Sequence, residues 1–464
     1  MPAVTIPFTR RPPGRKFLLA AMFLAGLAIA LVMTARCQVS GDQLNLYARG
    51  WILISQHEVV PYGLPTSAGG KSPGSLTSLL AGLPLMVWRD YRAPVLLTLL
   101  FHALAYLLLD RLLARTGGIR ERVIFALFYW LNPWQLYFAG HLWNANWVGL
   151  PGAVHTVTAW RLRERPAFWA SCLHCLSIGV CAQLHSSFMI LFLATLLLWA
   201  TRRIRLNLAG AALAVALTGL SVLPWAMAVL ENPGLLPGGG GRILGRGLVA
   251  KGSLLGGVWY FLRYPSLFFA GRMTAFDFTP ALGPAADALL APLVKAGALA
   301  AGILSLAVPV LAHRRLWPRF VRRFRRGEGR ALSGRAWLAG YTATTLAAAL
   351  AACALSPTSF MLWQGFVILH VAVFPVVIYL APLLRTRRRG PCVRRWLAVH
   401  AAASLVILLA MAFASPMYRQ GGRQARAIAL RADHPMLHEL GIAARCMVPV
   451  RPADGWWPDA LPPP

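Results

Sequence analysis

Apolar runs about as long as a bilayer is thick recur from one end of this 464-residue chain to the other. The first, FLLAAMFLAGLAIALVMTA at residues 17–35, carries no charged side chain. A helix needs about 20 such residues to cross the hydrocarbon layer. Inside that layer only helices and closed barrels satisfy their own backbone. Hydrophobic residues make up 58% of the chain and charged residues 13%, about half the charged fraction of a soluble protein. The expectation is an all-α polytopic membrane protein. Residues 17–35 outrun a signal-peptide core, and ARCQVSGD after them is a poor cleavage site, so they read as a retained first span.

The formal net charge of +32 points to nucleic acid only until its placement is considered. The basic runs HRRLWPRFVRRFRRGEGR (313–330) and RTRRRGPCVRR (385–395) lie between apolar segments, as cytoplasmic loops do. Their work is to set topology and meet anionic headgroups, and nucleic acid is not the expected partner. Hydropathy and basic flanks place about eleven spans, at 17–35, 93–112, 123–138, 145–160, 167–183, 186–200, 206–228, 289–312, 336–355, 361–384 and 396–414. SLTSLLAGLPLMVW (75–88) is too short to cross and reads as interfacial. Leaving it out of the membrane puts the larger excess of Lys and Arg on the cytoplasmic side. The N-terminus is then cytoplasmic and the C-terminus extracytoplasmic.

This topology exposes a first outer loop at 36–92 and a second at 229–288, within a transmembrane domain covering 1–414, followed by a short outer tail at 415–464. The second loop contains NPGLLPGGGGRILGRGLVAKG, glycine-rich and basic, and is expected to be mobile without a ligand. No internal repeat and no phosphate-loop motif is evident. Of the cysteines, Cys37 and Cys446 fall on the same expected outer side, where a disulfide is open to them. Cys172, His174 and Cys175 resemble a metal motif but sit inside an apolar run, where packing is the simpler reading. His434 and His438 are an i, i+4 pair, weak evidence for a metal by themselves. No metal ligand set or other cofactor is assigned, and a need for a divalent cation stays open.

Asp42 follows the first span closely, in a chain with only 14 acids. It is either loop decoration or a working carboxylate at the membrane surface. The outer cations Lys71, Arg242, Arg246 and Lys251, with Arg263 and Arg272 beyond, are placed to stabilise a phosphate leaving group while Asp42 deprotonates a hydroxyl. Equally, such cations meet headgroups. GHLWNANW supplies His141, Trp143, Asn144 and Asn146, of which Trp and Asn suit a sugar, although interfacial Trp is common without function. His185, at the turn between two spans, either contacts phosphate or caps a tight helical hairpin.

An acid after the first span, then LNLYARGW, then GKSPGSLTSLLAGLP, resembles the first outer loop of GT-C membrane glycosyltransferases, such as protein O-mannosyltransferases and the lipid A aminoarabinose transferase. YWLNPWQLYFAGHLWNANW and AQLHSSFMILFLATLLLW extend the resemblance over most of residues 17–230. It implies a polyprenyl-phosphate-linked sugar as donor, a glycan, lipid or protein acceptor, inversion at the sugar, and chemistry on the outer face. By position Asp42 becomes the catalytic base, Lys71 a donor-phosphate contact, and Tyr47 a residue shaping the cleft. Two departures stand out. Gln43 replaces the second acid of the family's doublet, and Ser72 interrupts its Lys-Pro-Pro. An amide orients a hydroxyl but is no base. The expected activity is therefore a hexosyl- or pentosyltransferase of the cell envelope. The rivals are a lipid or polysaccharide flippase or transporter, and a GT-C scaffold that binds the donor without transferring it.

Overall fold

The computed structural model describes residues 14–35, 42–66, 70–236, 251–268, 276–325, 334–356, 360–414 and 435–442. Among the described residues seven helices are long and apolar enough to cross a membrane, and the protein is a multi-pass, all-α membrane protein. Among the described residues the only sheet is one two-stranded hairpin.

The chain runs through α1 (Gly14–Ala35), α2 (Asp42–Gln56), the strands β1 (Tyr62–Pro65) and β2 (Lys71–Pro73), α3 (Leu76–Val87) and α4 (Arg92–Thr116). At 12 residues, α3 is about 18 Å long, short of a bilayer core, and it packs against α2. This matches the interfacial reading of 75–88. The expected span at 123–138 is broken instead of continuous. It consists of α5 (Ile119–Phe125), a π-helical stretch (Ala126–Trp130) and α6 (Pro133–Ala139). Pro133 has no N–H to give the preceding turn, so the ladder must stop there. Asn132 repairs the break. Its Oδ1 accepts from Trp134 N–H at 2.8 Å, and its Nδ2 donates to the Phe128 and Tyr264 carbonyls at 3.0 and 2.8 Å. The Leu131 carbonyl is taken by Ser404 Oγ at 2.6 Å.

The 145–160 segment is likewise split, into α7 (Asn144–Trp147) and α8 (Gly149–Leu162). Then follow α9 (Phe168–Leu184), α10 (Phe188–Ala200), α11 (Leu208–Glu231), α12 (Lys251–Arg263), α13 (Pro284–Arg325) and α14 (Gly334–Leu355). The expected span at 361–384 opens with a 3-10 stretch, Leu362–Ile368, before α15 (Leu369–Leu383), and α16 (Gly390–Phe413) completes the bundle. A last short helix, α17 (Pro435–Glu439), docks with Met436, Leu437, Leu440 and Ile442 buried. The Leu440 carbonyl accepts from Tyr91 N–H at 2.9 Å, which fixes this piece of the tail at the N-terminal end of α4.

The core is stitched by aromatic stacking and by buried polar groups. Trp130 stacks on Phe23 at 5.3 Å and donates its indole N–H to the Phe23 carbonyl. Only glycine fits at Gly26, because a Cβ there would lie 2.3 Å from the Trp130 indole nitrogen. Deeper in the bundle, His155 bridges Tyr341 and Thr195 (2.7 and 2.8 Å), His174 bridges Thr158 and Thr195 (2.9 and 3.0 Å), and His370 meets Thr156 at 2.7 Å. His174 is thus committed to hydroxyls of neighbouring helices, and its place between Cys172 and Cys175 is a packing feature. Such satisfied networks fix which helix faces meet.

Candidate active site

The N-terminal half of the chain builds a cleft at the end of the bundle where α2 starts. Asp42 is the first residue of α2, a position where the helix dipole favours a carboxylate. Tyr47, one turn on, is fully buried and anchors the helix by donating its hydroxyl to the Tyr91 carbonyl at 2.7 Å. Arg49 faces the hairpin and donates Nη1 to the Tyr62 carbonyl at 2.9 Å. The antiparallel pairing of Pro65 with Lys71 then presents Lys71 at the start of β2. Both cations lie over the Tyr62 ring, Arg49 at 5.2 Å and Lys71 at 6.0 Å from its centroid. Gly74, directly after β2, turns the chain towards α3 at φ +81°, and a Cβ there would meet Gln183 Oε1 at 2.2 Å.

A cavity of about 400 Å³ opens among these elements, lined by Asp42, Lys71, Trp143, Asn144, His185 and Trp363 together with flanking polar and apolar residues. Of the described residues lining it, Asp42 is the one carboxylate. Trp143 donates its indole N–H to Asp42 Oδ2 at 3.0 Å. Burial raises the Asp42 pKa and the Trp143 hydrogen bond opposes that rise. The result is a desolvated, more basic carboxylate, held by one donor. Burial also lowers the Lys71 pKa, and the nearby Arg49 charge lowers it further. Arg49 itself is brought down to about 10, chiefly by burial.

His185 takes the capping position open to it in the sequence and also borders the cavity. It is the C-cap residue of α9 and lines the cavity. Its Nδ1 accepts from Ser187 N–H at 3.2 Å, which puts the proton of the neutral ring on Nε2. Burial lowers its pKa to about 4, so at neutral pH it offers an N–H, not a charge. Asn144 donates Nδ2 to the Leu184 carbonyl at 2.8 Å and ties α7 to the same corner.

The cleft does not gather every residue singled out in the sequence. Gln43, Tyr47 and His141 are buried behind it. His141 donates Nδ1–H to the Tyr137 carbonyl at 2.9 Å and stacks beneath Trp143, so it supports the indole from below. Asn146 bonds the His141 carbonyl through Nδ2 and is structural. Arg263 is held among the Trp134, Trp259, Tyr260 and Phe268 rings, away from the cavity. Arg242, Arg246 and Arg272, with Cys37, Cys446 and His434, lie outside the described residues, and of Lys251 only the helical backbone is described. Among the described residues no cluster of three His, Cys, Asp or Glu is arranged to hold a metal ion.

Sequence reasoning missed the opposite wall. Ser356, Trp363 and Gln364 line the cavity from the far end of the chain. Trp363 meets Trp143 edge to face, centroids 5.3 Å apart. Gln364 Oε1 accepts from Met361 N–H at 2.7 Å and shapes the 3-10 turn. Trp and Gln beside SPTS, at the mouth of an otherwise apolar run, were the readable signal.

These features define a polytopic membrane protein with one carboxylate and one ammonium in a cleft at a bundle end. The sequence matches no protein-family model and no curated protein. Solved structures of similar fold do exist. Apo ArnT from Cupriavidus metallidurans aligns at TM-score 0.50 and 12% identity, over 93% of this chain and 74% of that one. Archaeal oligosaccharyltransferase AglB from Archaeoglobus fulgidus, in complex with an inhibitory peptide and a dolichol-phosphate, aligns at TM-score 0.50 and 11% identity. That alignment spans 95% of this chain and 61% of AglB. The fold therefore resembles that of ArnT and of the archaeal oligosaccharyltransferase AglB.

Proposed function

We propose that the protein is a membrane glycosyltransferase that moves a hexose or pentose from a polyprenyl-phosphate donor to an extracytoplasmic lipid, glycan or protein acceptor, with inversion. The observation that carries this reading is the convergence of Asp42, Lys71 and His185 on one cleft, at the end of a bundle whose fold resembles the GT-C transferases. One such fold neighbour was solved with a dolichol-phosphate.

In this reading Asp42 removes the proton from the acceptor hydroxyl as that oxygen attacks the anomeric carbon. The bond from that carbon to the phosphate oxygen breaks on the opposite face, and the electron pair leaves with the polyprenyl phosphate. Lys71 and the His185 Nε2–H face the charge that grows there, with an arginine of the second outer loop, Arg242 or Arg246, as a further cation. Trp143 and Trp363 offer ring faces and edges to the sugar. The cleft lies on the extracytoplasmic side, the N-terminus in the cytoplasm, and the bundle of residues 1–414 forms one domain in a bacterial-type inner membrane.

Proteoliposomes given radiolabelled polyprenyl-phosphate sugar and a panel of acceptors test the reading. Label moving to an acceptor, dependent on Asp42, is the expected result. Label that crosses the bilayer still attached to its lipid would establish a flippase. Donor retained without transfer to any acceptor would establish a binding scaffold.

A further inference from the structure

The bundle face opposite the cleft holds a second cavity, of about 680 Å³. It lies at the far ends of helices that begin beside the cleft. α4 leaves Tyr91 and runs about 37 Å to Thr116, and α5 begins just beyond it. α15 follows Trp363 and ends at Leu383. Arg120 from the first turn of α5, Arg385 and Arg387 from the turn after α15, and Arg394 from α16 surround the cavity, which Leu384, Thr386 and Pro391 also line.

The nearby carboxylates are engaged elsewhere. Asp110 takes both forks of Arg122, at 2.7 and 2.5 Å. Glu121 is buried, accepts from Gly118 N–H at 2.9 Å and pairs with Arg335, while Arg385 reaches it only at 4.0 Å. Among the described residues Arg120, Arg387 and Arg394 form no ion pair. Four guanidinium groups around one hollow repel each other, and an anion in the hollow relieves that repulsion. Guanidinium forks match phosphate oxygens two at a time. Beyond the cavity α16 continues with Val399, Leu405 and Val406 exposed, a surface for acyl chains.

We propose that this cavity binds the headgroup of a membrane phospholipid carrying two phosphates, of the diphosphatidylglycerol type. Four arginines over this volume exceed what one phosphate needs, and the exposed apolar stretch of α16 beside them selects a lipid over a soluble anion. The site is separate from the cleft and does not depend on the reaction proposed there.

Native mass spectrometry of the purified full chain tests it, at about 0.15 M ionic strength to screen diffuse attraction. Tetraoleoyl cardiolipin, dioleoyl phosphatidylglycerol and inorganic pyrophosphate are the probes. The expected result is one retained cardiolipin, held about tenfold more tightly than phosphatidylglycerol at equal phosphate. The combined change Arg120→Gln, Arg387→Gln and Arg394→Gln should weaken it about tenfold. Arg111→Gln, Arg115→Gln and Arg165→Gln, exposed on the same face but outside the cavity, should leave it unchanged. Equal retention of the two lipids, or equal loss in both triple variants, overturns the proposal. So does displacement of cardiolipin by pyrophosphate alone, which would mark a soluble-anion site. The wild-type lipid comparison decides the matter even where the pocket variant fails to insert.

Discussion

The indole N–H of Trp143 meets Asp42 Oδ2 at 3.0 Å, across about a hundred residues of sequence, and it is the contact that aims the carboxylate into the cleft. Its partner on the other side is Trp363, so the carboxylate is supported by a two-indole wall.

Asp42→Asn is expected to reduce sugar transfer by about 10²–10⁴, the usual loss when a positioned base is removed. Burial raises the Asp42 pKa, so the folded protein prefers the protonated form, and the stability this confers is lost as pH rises through the folded pKa. At neutral pH the charge is a cost. The Asn variant should therefore melt no lower than wild type, as a thermal-shift assay in detergent can record. A variant that is both less stable and inactive would recast Asp42 as structural.

Trp143→Phe keeps the ring and removes the donor. The carboxylate loses its compensation for burial, so its pKa moves further up. Because the ionised form is the base, the acidic limb of the kcat/KM profile should shift to higher pH. An unshifted limb would separate Trp143 from the titrating group.

Lys71→Ala should weaken donor binding and slow transfer together, since charge on the leaving phosphate grows in the transition state. Arg49→Met, which removes the contact to the Tyr62 carbonyl behind the hairpin, should cost about 1–3 kcal/mol of stability and raise the KM for donor more than it lowers kcat. A pure kcat loss in Arg49→Met would place the guanidinium at the reacting atoms instead.

Gly74→Ala should be harmful although the change is one methyl group. Its φ of +81° suits glycine, and a Cβ would run into Gln183. Gln183 can swing aside, but the strain at this φ stays in the backbone directly after β2, which carries Lys71. Weaker donor binding with a lowered melting point is the expected pair of results, and a variant unchanged in both would contradict the geometry.

The proposed orientation rests on basic-residue asymmetry and can be read with native chemistry. Cys392 is exposed at the start of α16, and His57 is exposed just past α2 at the cleft end. In a background with the other cysteines removed, a membrane-impermeant maleimide should label His57→Cys from outside intact cells and Cys392 only after permeabilisation. The reverse pattern would invert the topology.

How much of this was legible before the fold was known depended on the kind of contact. Asp42, Lys71, Trp143, Asn144 and His185 converge because each sits at the end of an apolar segment, and segment ends on one membrane face are readable from hydropathy. Which way a side chain turns there is not readable in the same manner. Gln43 is adjacent to Asp42, but a helix rotates successive residues by about 100°, so Gln43 faces the packed interior and Tyr47 reaches Tyr91 instead of the cleft. Trp363 and Gln364 were absorbed into an apolar run whose first two turns are 3-10. The break at Pro133 was visible in LNPW, but its repair was not: Asn132 bonds the Phe128 carbonyl one turn back and also the Tyr264 carbonyl, which no local window contains.

The cleft wall formed by Trp143 and Trp363 also bears on biosynthesis. Asp42, Lys71 and His185 reach the membrane early as the chain is made from its N-terminus. Trp363 follows only after α11, α13 and α14 have been inserted. Until then one side of the cavity is missing, and a nascent chain stalled or truncated before that point carries the acid and the cation without an enclosed pocket. The cavity is thus enclosed only once the chain has been made through Trp363 and Gln364, and under the proposed function a lipid-linked sugar meets an enclosed site only after that point.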